Sequence, residues 1–129
     1  MNIKVQYTTM IVEDLRRSVE FYRDALGFCE GYHVELPGGG AITIMESAGG
    51  ASVELIQNPA FPLGLYSVGT DVDDLDAALA HLATLGHHPT GPVIETTVGR
   101  MTFVLDPNNV RVCLIEHTPE YKAKYMQSR

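Results

Sequence analysis

Glu54 is the residue of this chain whose type and position most directly suggest chemistry. It interrupts the apolar run Val53-Glu54-Leu55-Ile56, where a carboxylate has no obvious role in contacting solvent. If that carboxylate is partly buried, its pKa rises, and it could act as a general base or pair with a cationic ligand. The structural alternative is a carboxylate satisfied by a hydrogen bond from Tyr7 or from the backbone. The sequence leaves both alternatives open.

The other chemically capable residues form no recognisable catalytic motif. The sequence has no Ser-His-Asp order, no phosphate-binding loop and no paired-cysteine motif. His33 and Glu35 share one face of a predicted strand, and Glu46 lies near the end of the next. A metal site there is an alternative to the ordinary polar decoration of an exposed strand face. Cys29 and Cys113 are expected to be reduced thiols, because two cysteines make no disulfide framework.

An internal repeat positions these residues. Val12-Glu13-Asp14-Leu15 recurs 60 residues later as Val72-Asp73-Asp74-Leu75. Val53-Glu54-Leu55-Ile56 recurs 59 residues later as Val112-Cys113-Leu114-Ile115. Such a period predicts a duplicated fold, and two related halves tend to enclose a site between them.

The sequence of each half predicts the element order β-α-β-β-β. Asp14 is the expected N-cap of the first helix, and Asp73 or Asp74 caps the second. The apolar stripes of the two helices are Leu15, Val19, Tyr22 and Leu26, and Leu75, Leu79, Leu82 and Leu85. The predicted organisation is a single domain with module 1 at about 1–57, a linker at 58–64, module 2 at about 65–117 and a tail at 118–129. That tail is either a short charged helix or a frayed end.

Length and charge limit the classes of function. At 129 residues the chain is the size of one domain. Its net charge of −7 argues against a nucleic-acid partner, which requires a basic face. No run approaches the ~18 apolar residues of a membrane span, and the N-terminus has no secretory pattern. We therefore expect a cytoplasmic protein with no membrane partner.

Two stretches of sequence resemble a known superfamily. Val12-Glu13-Asp14-Leu15-Arg16-Arg17-Ser18-Val19-Glu20-Phe21-Tyr22, followed by Leu26-Gly27-Phe28, resembles the opening of the vicinal oxygen chelate superfamily. This superfamily includes glyoxalase I, bleomycin-resistance proteins, extradiol dioxygenases and fosfomycin-resistance enzymes. Asp106-Pro107-Asn108-Asn109 before an apolar strand is similar to its closing motif. The resemblance implies the glyoxalase/bleomycin-resistance fold, an α+β fold of two tandem βαβββ modules forming a curved mixed sheet around a cleft. It also implies a homodimer.

The resemblance also indicates where a metal would be held. In metal-dependent members, the first and last strands of each half supply one ligand each, usually His or Glu. The matching positions here are Tyr7, Glu54, Ser67 and Cys113. Since Glu54 alone is a conventional ligand for a hard cation, we expect no metal and no other cofactor. A divalent metal in an atypical ligand shell remains the alternative.

The predicted function follows from this ligand set. Strand alternation adds further residues to the expected cavity wall, and the complete predicted binding set is Tyr7, Thr9, Ser52, Glu54, Ser67, Arg111 and Cys113. The first hypothesis is a metal-free protein that sequesters a small organic molecule in the cleft between modules, like bleomycin-resistance proteins. The alternative is a glyoxalase-like lyase or isomerase, or a dioxygenase, with Glu54 as the catalytic candidate. A purely structural protein is a third possibility.

Overall fold

The computed structural model describes residues 2–126, and within them the predicted β-α-β-β-β order occurs twice. The first half contains β1 (Ile3–Ile11), α1 (Leu15–Glu20), β2 (Cys29–Glu35), β3 (Ala41–Glu46) and β4 (Ser52–Gln57). The second half contains β5 (Gly64–Val72), α2 (Leu75–Thr84), β6 (Ile94–Glu95), β7 (Gly99–Leu105) and β8 (Arg111–His117). A short helix, α3 (Pro119–Tyr125), follows. The prediction of an α+β fold with two βαβββ modules is therefore confirmed.

The chain divides into two compact units, of which the first comprises residues Tyr7–Tyr66. Its strands lie in the order β2-β3-β4-β1, with β1 parallel to β4 and the other pairs antiparallel. Helix α1 covers one face of this sheet. Its buried residues Leu15 and Val19 pack on Met45 and Leu55, which are fully buried. Burial of this apolar surface gives the first unit its core.

Among the described residues, the second unit comprises 2–6 together with 67–126. Its strands lie in the order β5-β8-β7-β6, again with one parallel pair, β5 with β8. Helix α2 covers one face through Leu75, which packs with Val72, Val104 and Leu114. The second unit thus repeats the packing of the first.

The two helices begin in the same way. The side chains of Asp14 and Asp74 accept hydrogen bonds from the third residue of their helices, as N-caps do. A second acceptor comes from the last strand of each half. Gln57 Oε1 accepts from the Leu15 amide at 2.7 Å, and Glu116 Oε1 accepts from the Leu75 amide at 2.8 Å. Each helix start is therefore tied to a strand more than 40 residues away in sequence.

We expect these strand-to-helix bonds to stabilise the fold measurably. Glu116→Met removes the acceptor but keeps the apolar stem, and should lower the free energy of unfolding by about 1 kcal/mol, the typical cost of a lost cap. Glu116→Gln keeps the amide oxygen and should retain most of that stability. Urea unfolding of the three proteins measures the difference. Equal loss in both variants would mean that the carboxylate charge, rather than the hydrogen bond, stabilises the helix.

Two glycines allow neighbouring backbones to pack closely at Gln57 and Glu116, the residues that bond to the helix starts. Gly40 packs against the carbonyl oxygen of Gln57, and Gly99 against that of Glu116. A Cβ at either glycine would collide with that backbone oxygen. The two sites are 59 residues apart, so the repeat extends to backbone contacts that the sequence comparison alone did not reveal.

Two features differ from the sequence prediction. The first helix continues as a π-helical turn, Phe21–Ala25, in which the predicted four-residue spacing no longer holds. Leu26 and Leu85 are 50% and 62% exposed, so their predicted places in the apolar stripes were wrong. Both are C-cap residues, and the backbone leaves the helix at these positions before Gly27 and Gly86, which have positive φ. Of the two predicted alternatives for the tail, the structure shows the helix, α3, while residues 127–129 of the predicted tail lie outside the described residues.

Candidate functional site

Glu54 lies on a central strand of the first unit and is held by Thr9. The two residues are paired in register between β4 and β1. Thr9 Oγ1 donates a hydrogen bond to Glu54 Oε1 at 2.7 Å. The sequence suggested Tyr7 or the backbone as the hydrogen-bond partner of Glu54, and the structure shows Thr9 in that role. Sequence alternation had placed Thr9 on the correct face but gave no sign of this bond.

The environment of Glu54 favours its protonated form. Burial raises the pKa of the Glu54 carboxyl above its ordinary value, and the hydrogen bond from Thr9 opposes this shift without cancelling it. The residue is nevertheless partly exposed. A partly exposed carboxyl with a raised pKa can accept a proton nearer neutral pH than an ordinary glutamate.

The surroundings of Glu54 are mostly apolar. It lies on the sheet face opposite α1, because its neighbour Leu55 packs against that helix and successive strand residues alternate. Register and alternation place nine residues on this face, which we call the Glu54 face: Tyr7, Thr9, Ile11, Ile42, Ile44, Glu46, Ser52, Glu54 and Ile56. Four isoleucines thus surround the Thr9–Glu54 pair. An apolar surface with a few polar groups is typical of small-molecule sites.

Two further predicted residues, Tyr7 and Ser52, belong to the same face. They are paired in register between β1 and β4, next to the Thr9–Glu54 pair. Both are buried, with 7% and 2% exposure. The structure therefore brings together four of the seven predicted residues in one unit.

The other three predicted residues lie in the second unit. Ser67 and Cys113 are buried, and Arg111 is exposed at the start of β8. Gly69 and Cys113 are paired in register between β5 and β8. This pair is the repeat equivalent of Thr9 and Glu54. The hydrogen-bonded carboxylate is therefore a feature of the first half that the second half does not repeat.

The second unit contains a buried histidine–aspartate pair that the sequence did not predict. His117 Nδ1 lies 2.7 Å from Asp71 Oδ1, and the side chains are 1% and 11% exposed. The His117 ring stacks on Tyr121 of α3 at 4.8 Å. Alternation along β5 does place Asp71 two residues beyond Gly69 on the same face, but no local pattern joins it to a histidine 46 residues away.

The Asp71 carboxyl has a lowered pKa. Burial acts to raise it, but the hydrogen bond from His117 and the positive charges of His117, Lys122 and Lys4 together outweigh burial. An ionised Asp71 next to His117 therefore favours the folded state.

The alternative metal site at His33, Glu35 and Glu46 does not assemble. His33 Nδ1 lies 2.7 Å from Thr43 Oγ1, and its Nε2 lies 3.2 Å from Glu35. Thr43 is on the face that α1 covers, since its register partner is Leu55. Glu46 belongs to the opposite face, where its carboxylate lies against Gly31 in the space that a Cβ would occupy. The three side chains therefore lie on opposite faces of the sheet.

The donor set at the family's metal positions does not fit a metal ion either. In the first unit it consists of the Tyr7 phenol and the Glu54 carboxylate, and in the second of the Ser67 hydroxyl and the Cys113 thiol. Within residues 2–126, no group of three or more His, Cys, Asp or Glu side chains is arranged to hold a metal. We therefore assign no step of any reaction to a metal.

The helices of the described chain, from Asn2 to Met126, are all too short or too polar to cross a bilayer.

Comparisons with solved structures show the same fold. Methylmalonyl-CoA epimerase from Mycobacterium tuberculosis aligns with a TM-score of 0.77 and 21% identity, covering 92% of this chain and 91% of that one. A hypothetical protein from Bacillus halodurans C-125 aligns with a TM-score of 0.77 and 15% identity, covering 92% and 96%. Methylmalonyl-CoA epimerase from Streptomyces coelicolor, in complex with 2-nitronate-propionyl-CoA, aligns with a TM-score of 0.71 and 20% identity, covering 90% and 95%.

Two comparisons of the sequence gave different results. Among curated proteins, none matches this chain. The model of the Glyoxalase/Bleomycin resistance protein/Dioxygenase superfamily matches residues 4–114, which run from β1 of the first β-α-β-β-β repeat into β8 of the second. The duplicated fold, the structural likeness and this match agree, and the chain belongs to the Glyoxalase/Bleomycin resistance protein/Dioxygenase superfamily.

Proposed function

We propose that this protein binds a small organic molecule at the Glu54 face without a metal ion, and that Glu54 accepts a hydrogen bond or an ion pair from the ligand. The observation that carries the proposal is a partly exposed carboxylate, held at one oxygen by Thr9 and surrounded by isoleucines. In such surroundings a polar contact is strengthened by the low local dielectric. The function would be sequestration, with no bond broken.

The chemistry of the face indicates the class of ligand. Ile42, Ile44 and Ile56 offer apolar contact, and Glu54 offers an acceptor for an N–H or O–H group. A planar aromatic body that carries an amine or amidine would satisfy both. Tyr7 and Ser52 belong to the same face and to the proposed binding set. Ser67, Arg111 and Cys113 of the second unit stay a prediction from the sequence.

A thermal-shift screen tests this proposal. The panel would contain 9-aminoacridine and benzamidine, which are cations at neutral pH, and acridine, which is uncharged. A ligand that binds the folded state raises the melting temperature with its concentration. We expect at least one of the two cations to do so, and expect elemental analysis to show less than stoichiometric metal. A melting temperature that responds to divalent ions and to none of these compounds would contradict the proposal.

A second candidate function is proton transfer by an enzyme. It is favoured by the raised pKa of Glu54, which suits a general base, and by the likeness of the fold to methylmalonyl-CoA epimerases. An epimerase inverts a stereocentre. A carboxylate can assist by removing the proton from a carbon next to a carbonyl group, and inversion is complete when a proton donor returns a proton to the opposite face. Glu54 would then be the catalytic residue.

Deuterium exchange distinguishes the two functions. Methylmalonyl-CoA would be incubated with the protein in D2O and examined by mass spectrometry. Incorporation of deuterium that depends on Glu54 would support the enzyme, and incorporation no faster than without protein would support binding alone.

A homodimer and a cytoplasmic location complete the proposal, both from the resemblance and the sequence. Light scattering coupled to size exclusion tests the dimer, for which a mass near twice 14.1 kDa is expected. A mass of one chain at micromolar concentration would contradict it.

A further inference from the structure

We propose that Thr9 is a positioning residue, which occupies Oε1 of Glu54 and leaves Oε2 as the oxygen that meets the ligand. This inference rests on the proposed function of the Glu54 face. It assigns different roles to the two carboxylate oxygens and a role to Thr9 beyond lining the site.

The geometry of the pair supports this assignment. Thr9 and Glu54 face each other across the parallel pair β1–β4, and the hydroxyl lies 2.7 Å from Oε1. Thr9 is 3% exposed and β-branched, so its hydroxyl has few alternative orientations. Across the part of the chain that the structure describes, no other side chain donates a hydrogen bond to Glu54. One oxygen is thus fixed, and the partly exposed carboxylate presents the other.

A fixed carboxylate has a physical advantage for binding. The terminal torsion of a glutamate is broad and roughly twofold, so an unrestrained carboxylate loses rotational freedom when it binds a ligand. The bond from Thr9 removes that freedom beforehand. Because the hydroxyl donates to the ionised form, it also keeps the carboxylate available as an acceptor despite burial.

The repeat indicates that the pair is not required by the fold. The equivalent positions in the second unit are Gly69 and Cys113, which are paired in the same register and cannot form this bond. The second unit nevertheless forms the same four strands and helix. The hydroxyl and carboxylate are therefore a local addition to the first half, as expected for a site and not for a structural requirement.

The experiment compares Thr9→Val with two matched variants. Valine has the shape of threonine without the hydroxyl, and Thr9→Ser restores a hydroxyl. Thr8→Val is the control, because Thr8 is the next residue of the same strand and alternation places it on the opposite face, in register with Val53. Two readouts would be taken for each protein: the titration midpoint of Glu54, from the NMR signal of its 13C-labelled carboxyl carbon, and the affinity for 9-aminoacridine at pH 7.

We expect Thr9→Val to raise the Glu54 midpoint, because the hydroxyl no longer stabilises the ionised carboxylate. It should also weaken 9-aminoacridine binding by up to about tenfold, because the carboxylate must then be ordered when the ligand binds. Thr9→Ser should restore both quantities, and Thr8→Val should change neither. A purely structural role for Thr9 would leave the midpoint where it is.

The failure of this inference can be distinguished from failure of the proposed function. If Thr9→Val behaves like Thr8→Val while Glu54→Gln still weakens binding, Thr9 has no positioning role and the site stands. If wild type does not bind the amine, or Glu54→Gln binds it equally well, the proposed site itself is wrong, and the role of Thr9 with it.

Discussion

Glu54→Gln is expected to weaken binding of the amine that gives the largest thermal shift by at least about tenfold. The substitution keeps the shape of the side chain and removes its charge. A charge-assisted hydrogen bond contributes about 1.5–3 kcal/mol, of which a neutral amide keeps only part. Isothermal titration calorimetry at pH 7 measures the change. Folding should persist, because a carboxylate with a raised pKa is not stabilising in its ionised form.

The matched control for this variant is Glu35→Gln. Glu35 lies on β2 of the same unit. It is on the sheet face that α1 covers, opposite to the Glu54 face, because its register partner Ala41 belongs to the core beneath that helix. Both variants change the net charge equally, so they separate a local contact from a general electrostatic effect. Equal affinities of wild type and Glu54→Gln would contradict the role of Glu54, and an equal loss in both variants would show a long-range effect of charge.

The binding reaction should also depend on pH in a defined direction. Only the ionised Glu54 pairs with a cation, and burial raises its pKa. As the pH falls, the affinity should therefore begin to decline at a higher pH than it would with an ordinary glutamate. Glu54→Gln should show no such decline. The same decline in the variant would mean that another group is titrating.

Asp71→Ala is expected to lower the free energy of unfolding by about 2 kcal/mol, because it leaves the buried Nδ1 of His117 without its hydrogen-bond partner. The variant leaves the His117 ring buried beneath Tyr121 without its carboxylate. Urea unfolding at pH 7 measures the loss. Asp76→Ala is the control, because Asp76 pairs with Arg100 at the surface, where such a bond contributes at most about 1 kcal/mol.

The effect of Asp71 should fade at acid pH. Its pKa in the folded protein lies below the ordinary value of 3.8, so its contribution is complete well above 3.8 and is lost as the pH falls through the lower, folded-state pKa. The stability difference between wild type and Asp71→Asn should therefore shrink below pH 3.8. A difference that stays constant to the lowest measurable pH, or a loss for Asp71→Ala no greater than for Asp76→Ala, would contradict the assignment.

The sequence predicted the elements well because their signals are local. Helical spacing, an N-cap and a following glycine occur within one segment, and the repeat shows each of them twice. Leu26 and Leu85 were misplaced because spacing continues to look helical up to the glycine, whereas the backbone leaves the helix one residue earlier.

The contacts of the site were less predictable because they join distant segments. Thr9 and Glu54 are 45 residues apart, and Asp71 and His117 are 46 apart. Alternation fixes the face on which each side chain lies, which is how Thr9 and Ser52 were placed correctly. The partner depends on the register between strands, which no single segment encodes.

The most direct test of the central claim is an NMR titration of the protein with 13C-labelled isoleucine δ1-methyl groups. Ile11, Ile42, Ile44 and Ile56 lie on the Glu54 face, while Ile3 and Ile94 are exposed in the second unit and serve as internal controls. With 9-aminoacridine as the probe, we expect shifts at the methyl groups of the Glu54 face that Glu54→Gln abolishes, and none at Ile3 or Ile94. Shifts confined to the controls, or identical shifts in Glu54→Gln, would contradict it.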